Sequence, residues 1–441
     1  MGANERTLVA VDELKAPTKG AIAIGPFGSR MKSDCYVTSG VPVIRGNNIG
    51  DTRQLIGEMV YIAPDFADKL GNAIVHADDL VFPHRGAIGQ IGIVPRDNTE
   101  RYALSSSLMK LTCDRAKVEP LFLFYFFRSA EGQHELLKNA STVGTPGIGQ
   151  PLSSLRSIKV PLPSLVEQKA IVAVLGALDD KIELNLRMNA TLEAIARALF
   201  QSWFVDFDPV RVKLDGRQPT GLDPATAGLF PNEFEDSELG PIPKGWKVMR
   251  LPDAIEVNAR RRLQPGTVAP YLDMKNMPTH GHCPNEVVPR EFVSGTKFKN
   301  GDTLLARITP CLENGKTAFV DFLDGEQIGW GSTEYIVFSP KPPLPPQFGY
   351  LLARSDPLRA HAIQNMTGTS GRQRVPAECF DGYLVVVPSA EIPTRFEQIT
   401  APIFDKIRRS VDESHTLAAI RDALLPKLLD GKISPLARMC N

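Results

Sequence analysis

The chain has 441 residues, of which 43% are hydrophobic and 23% are charged, a balance typical of a soluble protein with two or three ordinary domains. Its 50 basic and 50 acidic residues cancel, so the total charge does not indicate a nucleic-acid-binding protein, and any basic surface must be local. No apolar run approaches the roughly 20 residues that cross a bilayer, and the acidic start MGANERTLVAVDELK does not suit a signal peptide, so we expect a cytoplasmic protein that does not enter a membrane.

Short apolar runs separated by glycine and proline dominate the first 165 residues. In chain order these runs are GVPVIRG, DLVFPH, QIGIVP and SLMKLT. Runs of this length and spacing predict β-strands joined by turns. We therefore predict a first mixed α/β domain over residues 1–165.

A long amphipathic helix is predicted to follow, over residues 166–206. Its apolar positions step alternately by four and three residues, which is the spacing of a coiled-coil seam. The seam residues are Ile171, Leu175, Leu178, Ile182, Leu192, Ala196, Leu199 and Trp203. Asn185 and Asn189 fill the two seam positions between Ile182 and Leu192.

The second half repeats this order after a connection rich in proline, glycine and aspartate, residues 207–244, which we interpret as extended. The runs TLLARI, TAFVDF, EYIVF and YLVVV predict a second mixed α/β domain over residues 245–391. A second long helix is predicted over residues 392–434. Its seam residues are Ile403, Ile407, Leu417, Leu424 and Leu428, with Ser410 and Ser414 in place of the two asparagines and Arg421 as an exception.

The two halves are related by a tandem duplication. A shift of 225 carries Asp180, Lys181 and Ile182 onto Asp405, Lys406 and Ile407 without a gap, and a shift of 223 carries Asp79, Phe82 and His84 onto Asp302, Leu305 and Arg307. The predicted fold is therefore α+β: two mixed α/β domains in tandem, separated by two long antiparallel coiled-coil helices.

The length and the polar centre of the two helices suggest how they pack. Helices of about 35 to 40 residues would be roughly 50 to 60 Å long, more than one small domain needs for its own core. Polar residues in the middle of both seams could pair across an antiparallel coiled coil and fix its register. The alternative is that each helix packs on its own domain and that the asparagines face water.

Known catalytic and metal-binding patterns are missing from the sequence. It lacks the NPPF-like or DPPY-like tetrapeptide of adenine methyltransferases, and GKT at residues 315–317 has Pro310 where a phosphate-binding loop requires glycine. The six cysteines show no CxxC spacing, and HGHC at residues 280–283 crowds its potential ligands too closely for a tetrahedral zinc site. We therefore predict no catalytic, cofactor-binding or metal-binding residue in this chain.

Four segments, taken in order, carry a resemblance to a known family: GPFGSRMKSDCYVTSGVPVIRGNNI at residues 25–49, ALFQSWFVDFDPV at 198–210, ELGPIPKGWKVMRL at 238–251 and LLPKLLDGKI at 424–433. With these segments and its duplication, the chain resembles the specificity subunit of type I restriction-modification systems over nearly its whole length. The resemblance implies that each domain is a target-recognition domain reading one half of a bipartite double-stranded DNA target, and that the helices set the gap between the half-sites.

The resemblance also implies partners. Two modification subunits would dock on the helices and carry adenine methylation, so S-adenosylmethionine is expected on those subunits and no cofactor on this chain, which would not be an enzyme. The sequence leaves open whether restriction subunits with nuclease activity join the complex. The competing hypothesis is a protein-interaction scaffold whose recognition domains no longer read DNA.

Candidate DNA-contacting residues lie in polar loops, where arginine can pair with guanine, Asn or Gln with adenine, and Lys, Ser or Thr with phosphate. For any one of them, a solvated surface side chain is the alternative. In the first half they are Arg30, Lys32, Arg45, Asn47, Asn48, His84, Arg85, Thr142 and Thr145. In the second half they are Arg260, Arg261, Arg262, Lys275, Asn276, Arg307, Lys316, Thr369, Arg372 and Arg374.

Overall fold

The chain divides into two compact units that share the two long helices. The computed structural model describes residues 6–26, 31–50, 52–141, 144–369 and 371–438. Unit 1 consists of Met1–Leu184 together with Ser414–Asn441, and unit 2 consists of Asn185–Glu413. Among the described helices, none combines the length and the apolar character that crossing a bilayer requires.

Unit 1 is built on a four-stranded and a five-stranded sheet. The four-stranded sheet is antiparallel, in the spatial order Ile22–Ile24, Leu108–Leu111, Leu80–Pro83 and Gly92–Ile93. The five-stranded sheet has the order Tyr36–Val37, Val60–Ile62, Val41–Ile44, Tyr102–Leu104 and Ile74–Val75, with its third and fourth strands parallel. Two further antiparallel pairs are Thr7–Ala10 with Lys159–Leu162, and Ala140–Ser141 with Gly147–Ile148. The shorter helices are Val11–Leu14, Pro64–Asp68, Pro120–Arg128, Ala130–Leu137 and Pro151–Ser157.

Unit 2 repeats this plan with two four-stranded sheets. The first is antiparallel, in the order Ile255–Val257, Tyr335–Pro340, Thr303–Ala306 and Thr317–Phe319. The second has the order Val288–Glu291, Val268–Leu272, Gly329–Gly331 and Thr296–Phe298, with its two central strands parallel. Two further pairs are Lys247–Arg250 with Leu384–Val387, and Phe234–Glu235 with Ile242–Pro243. The shorter helices are Asp208–Leu214, Pro224–Leu229, Leu251–Ala254, Pro346–Arg354 and Asp356–Gln364.

The duplication predicted from the sequence is confirmed down to single turns. Asp79 and Asp302, matched by the shift of 223, are both buried just before the third strand of the first sheet in their units. Asp79 Oδ2 accepts a hydrogen bond from the backbone of His76 at 3.0 Å, and Asp302 Oδ2 accepts one from the backbone of Lys299 at 2.8 Å. A turn with the same aspartate hydrogen bond therefore precedes the equivalent strand in each unit.

A helix that is apolar on nearly all sides lies at the centre of each unit. In unit 1 it is Pro120–Arg128, with the sequence PLFLFYFFR, and its aromatic side chains are buried from Phe122 to Phe127. In unit 2 it is Pro346–Arg354, with the sequence PQFGYLLAR, and it is also buried throughout its last eight residues. A helix that is hydrophobic all round belongs inside a core, and the cores of both units form around these two.

The two long helices run antiparallel within each unit, as predicted. The first is Leu165–Phe200, which continues as a π-helical turn at Gln201–Val205, and the second is Glu391–Leu429. In unit 2 the ring of Trp203 lies 5.7 Å from that of Phe396, whereas Asn185 contacts the second helix farther along, at Ser410. In unit 1 Asp179 is paired with Arg421. Residue numbers therefore rise along one helix as they fall along the other.

Polar residues at the seam pair across the two helices in unit 2. Asn185 is fully buried, and its Nδ2 donates to the carbonyl of Ser410 at 3.3 Å and to Glu413 Oε2 at 2.8 Å. Ile171, Leu175, Ile182, Trp203, Ile407 and Leu428 are buried, and Leu178, Asn189, Leu192, Leu199, Ile403, Ser414, Leu417 and Leu424 are half-buried. Asn185 does not face water, so the alternative in which the asparagines are solvated does not apply to it.

The connection between the halves is folded, in contrast to the extended segment that its composition predicts. Residues 207–244 contain the helices Asp208–Leu214 and Pro224–Leu229. Phe207 and Phe230 are buried in the core of unit 2, and the ring of Phe230 lies 5.0 Å from that of Trp203. Each buried aromatic side chain removes a large apolar area from water, and this outweighs the effect of the surrounding proline and glycine residues.

Candidate nucleic-acid interface

Three polar segments of unit 1 meet at the end of the strand Leu80–Pro83. We define them as the first loop cluster, residues 84–86, 105–107 and 144–147. The backbone of His84 donates to Ser107 O at 2.9 Å, that of Gly86 donates to Pro146 O at 2.8 Å, and that of Ile148 donates to His84 O at 2.9 Å. This network brings His84, Arg85 and Thr145 of the predicted set together, whereas Thr142 lies outside the described residues.

Unit 2 builds the same arrangement after the strand Thr303–Ala306. We define the second loop cluster as residues 307–309, 332–334, 367–369 and 371–375. The backbone of Arg307 donates to Glu334 O at 3.0 Å, that of Thr309 donates to Gln373 O at 3.0 Å, and that of Val375 donates to Arg307 O at 2.9 Å. These three bonds match those of the first loop cluster one for one. The cluster brings Arg307, Thr369, Arg372 and Arg374 of the predicted set together.

The two clusters carry different charges at their equivalent first residue. His84 is 8% exposed, and its Nε2 lies 3.1 Å from the carbonyl oxygen of Ser106. Burial, followed by the charge of Arg85, lowers the pKa of His84 below its usual value, so its ring is neutral at neutral pH. Arg307 stands at the equivalent place in unit 2, is permanently charged, and has a buried Nε with no hydrogen-bond partner.

A polar depression of about 290 Å³ lies next to Arg307 in unit 2. Its lining includes Asn258, Arg261, Lys297 and Thr333. Arg374, also in the second loop cluster, forms an exposed fork-like pair with Glu334, with N···O distances of 2.7 to 3.0 Å. Exposed ion pairs contribute little stability, so a phosphate could displace Glu334 from Arg374 at low cost. Arg372 and Thr369 are exposed beside it.

The side chains of three residues of the predicted set are engaged in hydrogen bonds or an ion pair within the protein. Asn48 is fully buried, and its amide donates to Ile56 O at 2.8 Å and accepts from the backbone of Arg45 at 3.0 Å. Arg261 forms a mostly buried ion pair with Asp302 at 2.6 Å. Lys316 Nζ donates to Met274 O at 2.7 Å. Contact of these side chains with DNA would require them to give up these bonds.

The remaining candidates differ in exposure. Arg30 lies outside the described residues, while Arg45 and Asn276 are half-buried and donate to Glu58 O and Glu286 Oε2, respectively. The exposed candidates outside the two clusters are Lys32, Asn47, Arg260, Arg262 and Lys275. Whether any member of the set contacts DNA stays a prediction.

The structure also shows a group of side chains that the sequence pattern did not reveal. His282 and Cys283, from the HGHC segment, lie beside Asp321, and one potential ligand atom from each falls within 4.8 Å of the others. Asp321 is 39 residues from His282 along the chain. Burial raises the pKa of the Cys283 thiol, so the free thiol is protonated. Sequence spacing alone cannot identify a third ligand that follows a strand far along the chain.

Comparison with known proteins identifies the relatives of this chain. Residues 28–194, which include the first loop cluster, match the model of the type I restriction modification DNA specificity domain. The resemblance to type I specificity subunits is confirmed. The chain is similar to the type I restriction enzyme HindI specificity subunit of Haemophilus influenzae, with 24% identity over 415 residues, covering 84% of this chain and 89% of that relative.

A second type I specificity subunit and a solved S subunit are also similar to nearly the whole chain. The MjaIX specificity subunit of Methanocaldococcus jannaschii is 25% identical over 401 residues, covering 85% of this chain and 84% of the relative. The crystal structure of the S subunit of a type I restriction-modification system from M. genitalium superposes with a TM-score of 0.56 at 14% identity, covering 97% of both chains. At that identity, the likeness to this S subunit shows a shared fold.

Proposed function

We propose that this chain is the DNA-recognition subunit of a type I restriction-modification complex and that each unit reads one half of a bipartite target. The observation that carries the proposal is the pair of loop clusters. Three matching backbone hydrogen bonds build the same loops in both units, whereas the first cluster contains His84 and Arg85 and the second contains Arg307, Arg372 and Arg374. One scaffold with two sets of polar side chains suits the reading of two different half-sites.

The side chains of the clusters have the chemistry that base reading requires. Arginine donates two parallel hydrogen bonds to guanine in the major groove, and threonine and lysine hold the phosphate backbone. Neutral His84 donates through Nε2 to the carbonyl of Ser106, so its Nδ1 is the ring atom that can accept a further hydrogen bond. The proposed recognition domains are residues 1–165 and 245–391, with spacer helices at 166–206 and 392–434 and a linker at 207–244.

We further propose that the long helices set the gap between the half-sites and dock two modification subunits. The first long helix supports this role because several of its large apolar side chains are exposed within their own units. They are Val166, Val174 and Leu184 in unit 1, and Leu186 and Ile195 in unit 2. Exposed apolar groups along a helix favour contact with a partner protein. Adenine methylation and its S-adenosylmethionine would then belong to the modification subunits.

The experiment is to co-express the chain with its modification subunit in a host without DNA methylation and to map methylated adenines by single-molecule sequencing. The expected result is a two-part motif with a fixed gap. Exchanging residues 1–165 for those of a relative should then change one half of the motif and leave the other half and the gap unchanged. A stable complex that methylates no DNA would instead support the scaffold hypothesis.

A second experiment tests the spacer separately. Inserting four residues after Glu183 adds about one helical turn to the first long helix. The expected result is a longer gap between unchanged half-sites. Altered bases with an unaltered gap would contradict the spacer role and leave the recognition role untouched.

A further inference from the structure

A turn in unit 2 is held rigidly beside the strand Thr317–Phe319. The carbonyl of His282 accepts a hydrogen bond from the backbone of Phe319 at 3.1 Å. Arg354, from the central helix, donates to the carbonyls of Thr279 at 2.7 Å and Gly281 at 2.6 Å. These bonds fix the positions of His282 and the following Cys283 relative to the end of the strand, two residues before Asp321.

His282 is an unusual residue for such a buried position. It is 0% exposed, its ring stacks on that of Phe404 at 4.6 Å, and its Nε2 lies 2.9 Å from Asp321 Oδ2. Its Nδ1 and the second carboxylate oxygen of Asp321 are both buried and have no hydrogen-bond partner. Nearly all buried polar groups in proteins are satisfied, so two unsatisfied atoms on adjoining side chains require an explanation.

A metal ion held between the imidazole of His282, the thiol of Cys283 and the carboxylate of Asp321 would give the second oxygen of Asp321 the partner that it lacks. We propose that His282, Cys283 and Asp321 form a zinc site with three protein ligands and an open fourth position. Their ligand atoms already lie within 4.8 Å of one another. Neighbouring ligand atoms in a tetrahedral zinc site lie roughly 3 to 4 Å apart, so a small closing movement would complete the site.

The three donor groups of this site favour zinc over magnesium and calcium. Imidazole, thiolate and carboxylate together are ligands that zinc accepts, whereas magnesium and calcium prefer oxygen and do not favour a thiolate. Zinc would bind Cys283 as the thiolate and so displace its proton. The ion would also neutralise the charge of Asp321 next to the buried imidazole.

The site has a structural consequence within unit 2. Zinc would tie the turn at residues 279–284 to the strand Thr317–Phe319, and the stacked ring of Phe404 would connect this junction to the second long helix. Because ligands that assemble only in the folded chain couple binding to folding, zinc should stabilise unit 2. Zinc binding at this site would not depend on DNA recognition.

The test uses the full chain without an affinity tag, stripped with a chelator and then titrated with zinc. Elemental analysis after buffer exchange should find one zinc ion per chain, and the melting temperature should rise with zinc. Cys283→Ser and Asp321→Asn should each lose most of the bound zinc. Cys311→Ser is the matched control, since Cys311 is also half-buried in unit 2 and should not affect binding. Equal zinc content in the unmodified chain and in both ligand variants would overturn the proposal.

Cobalt gives a second measurement that needs no variant. Co²⁺ bound through Cys283 should show a thiolate-to-cobalt charge-transfer band in the near ultraviolet, and zinc should displace it. Cys311→Ser should retain the band. A stripped chain that takes up neither cobalt with this band nor stoichiometric zinc would also overturn the proposal, even if the ligand variants fail to fold.

Discussion

Tyr125 and Tyr350, which the shift of 225 matches, lie on the central helices of the two units, and their surroundings differ. Tyr125 donates to Asp179 Oδ2 at 2.7 Å, and Tyr350 donates to Glu193 Oε1 at the same distance. Both carboxylates are buried and both belong to the first long helix. Each unit therefore buries an acidic side chain against its central tyrosine, but the positive charge that balances it comes from a different element.

In unit 1 the balancing charges come from outside the central helix. Arg421, the exception in the seam of the second long helix, pairs with Asp179 at 2.8 Å, and Arg53 lies 3.8 Å from the same carboxylate. In unit 2 a positive charge on the central helix reaches the carboxylate through the tyrosine, because Arg354 Nε donates to the Tyr350 hydroxyl at 3.1 Å and that hydroxyl donates to Glu193. A buried charge needs a partner, and the two units supply the positive group from different elements. Equivalent positions in the duplicated halves therefore cannot be assumed to share a role.

The largest effect is expected from Arg421→Met. Removing one partner of a buried ion pair leaves an uncompensated charge, and because Arg53 remains nearby we expect a loss of about 3 kcal/mol in the free energy of unfolding of unit 1. All three tryptophans, Trp203, Trp246 and Trp330, lie in unit 2. Hydrogen exchange should therefore show the loss in unit 1 while tryptophan fluorescence shows unit 2 unchanged.

The control for this prediction is the addition of Asp179→Asn. The neutral amide still accepts from Tyr125 but no longer needs a positive partner, so the double variant should recover most of the lost stability. If the two losses simply add, Arg421 and Asp179 do not form the proposed buried pair.

Arg307→Gln tests the comparison at the two loop clusters. An arginine that pairs with guanine contributes about 1 to 3 kcal/mol of discrimination, so methylation should become permissive at one base pair of the half-site that we propose unit 2 reads. His84→Gln, at the equivalent position, should affect the other half-site alone. Sequencing of methylated adenines checks both variants, and a change in both halves from either one would contradict independent reading.

Replacing each tyrosine with phenylalanine should lower the free energy of unfolding by different amounts in the two units. Tyr350→Phe removes the hydroxyl that Glu193 and Arg354 share, and an unsatisfied buried group costs about 1 to 3 kcal/mol. Tyr125→Phe should cost less, because Asp179 keeps Arg421 and Arg53. Urea unfolding followed by circular dichroism and fluorescence compares the two variants, and an equal loss would show that the partners of the carboxylates are interchangeable.

The smallest expected effect is a pH dependence confined to unit 1. The folded-state pKa of His84 lies below its unfolded value of about 6.5, so the unfolded chain takes up the proton first as the pH falls. The contribution of His84 is present above pH 6.5 and is lost progressively as the pH falls below it, by at most about 1.4 kcal/mol for each pH unit. In His84→Gln, hydrogen exchange in unit 1 should lose this part of its pH dependence.

Periodic and repeated features of the fold could be predicted from the sequence. The strand runs, the two long helices and the duplication depend on spacing that one chain displays directly, and the structure confirms all three. The folded connection could not be predicted, because Phe207 and Phe230 stand in a segment whose composition favours an extended chain. Asp321 could not be assigned to HGHC, because only the paired strands bring it there. The buried amide of Asn48 looks like any polar loop residue until its partners are known.

The division of the chain into units has a consequence for the order of events at the ribosome. Unit 2 is one continuous segment, Asn185–Glu413, whereas unit 1 needs Ser414–Asn441 in addition to the residues made first. Ile171 and Leu175 share a core with Leu425 and Leu428, which at ordinary elongation rates emerge roughly 10 to 50 s later. The half that is synthesised first is therefore the half that finishes folding last, and until then it exposes apolar surface that a chaperone could bind.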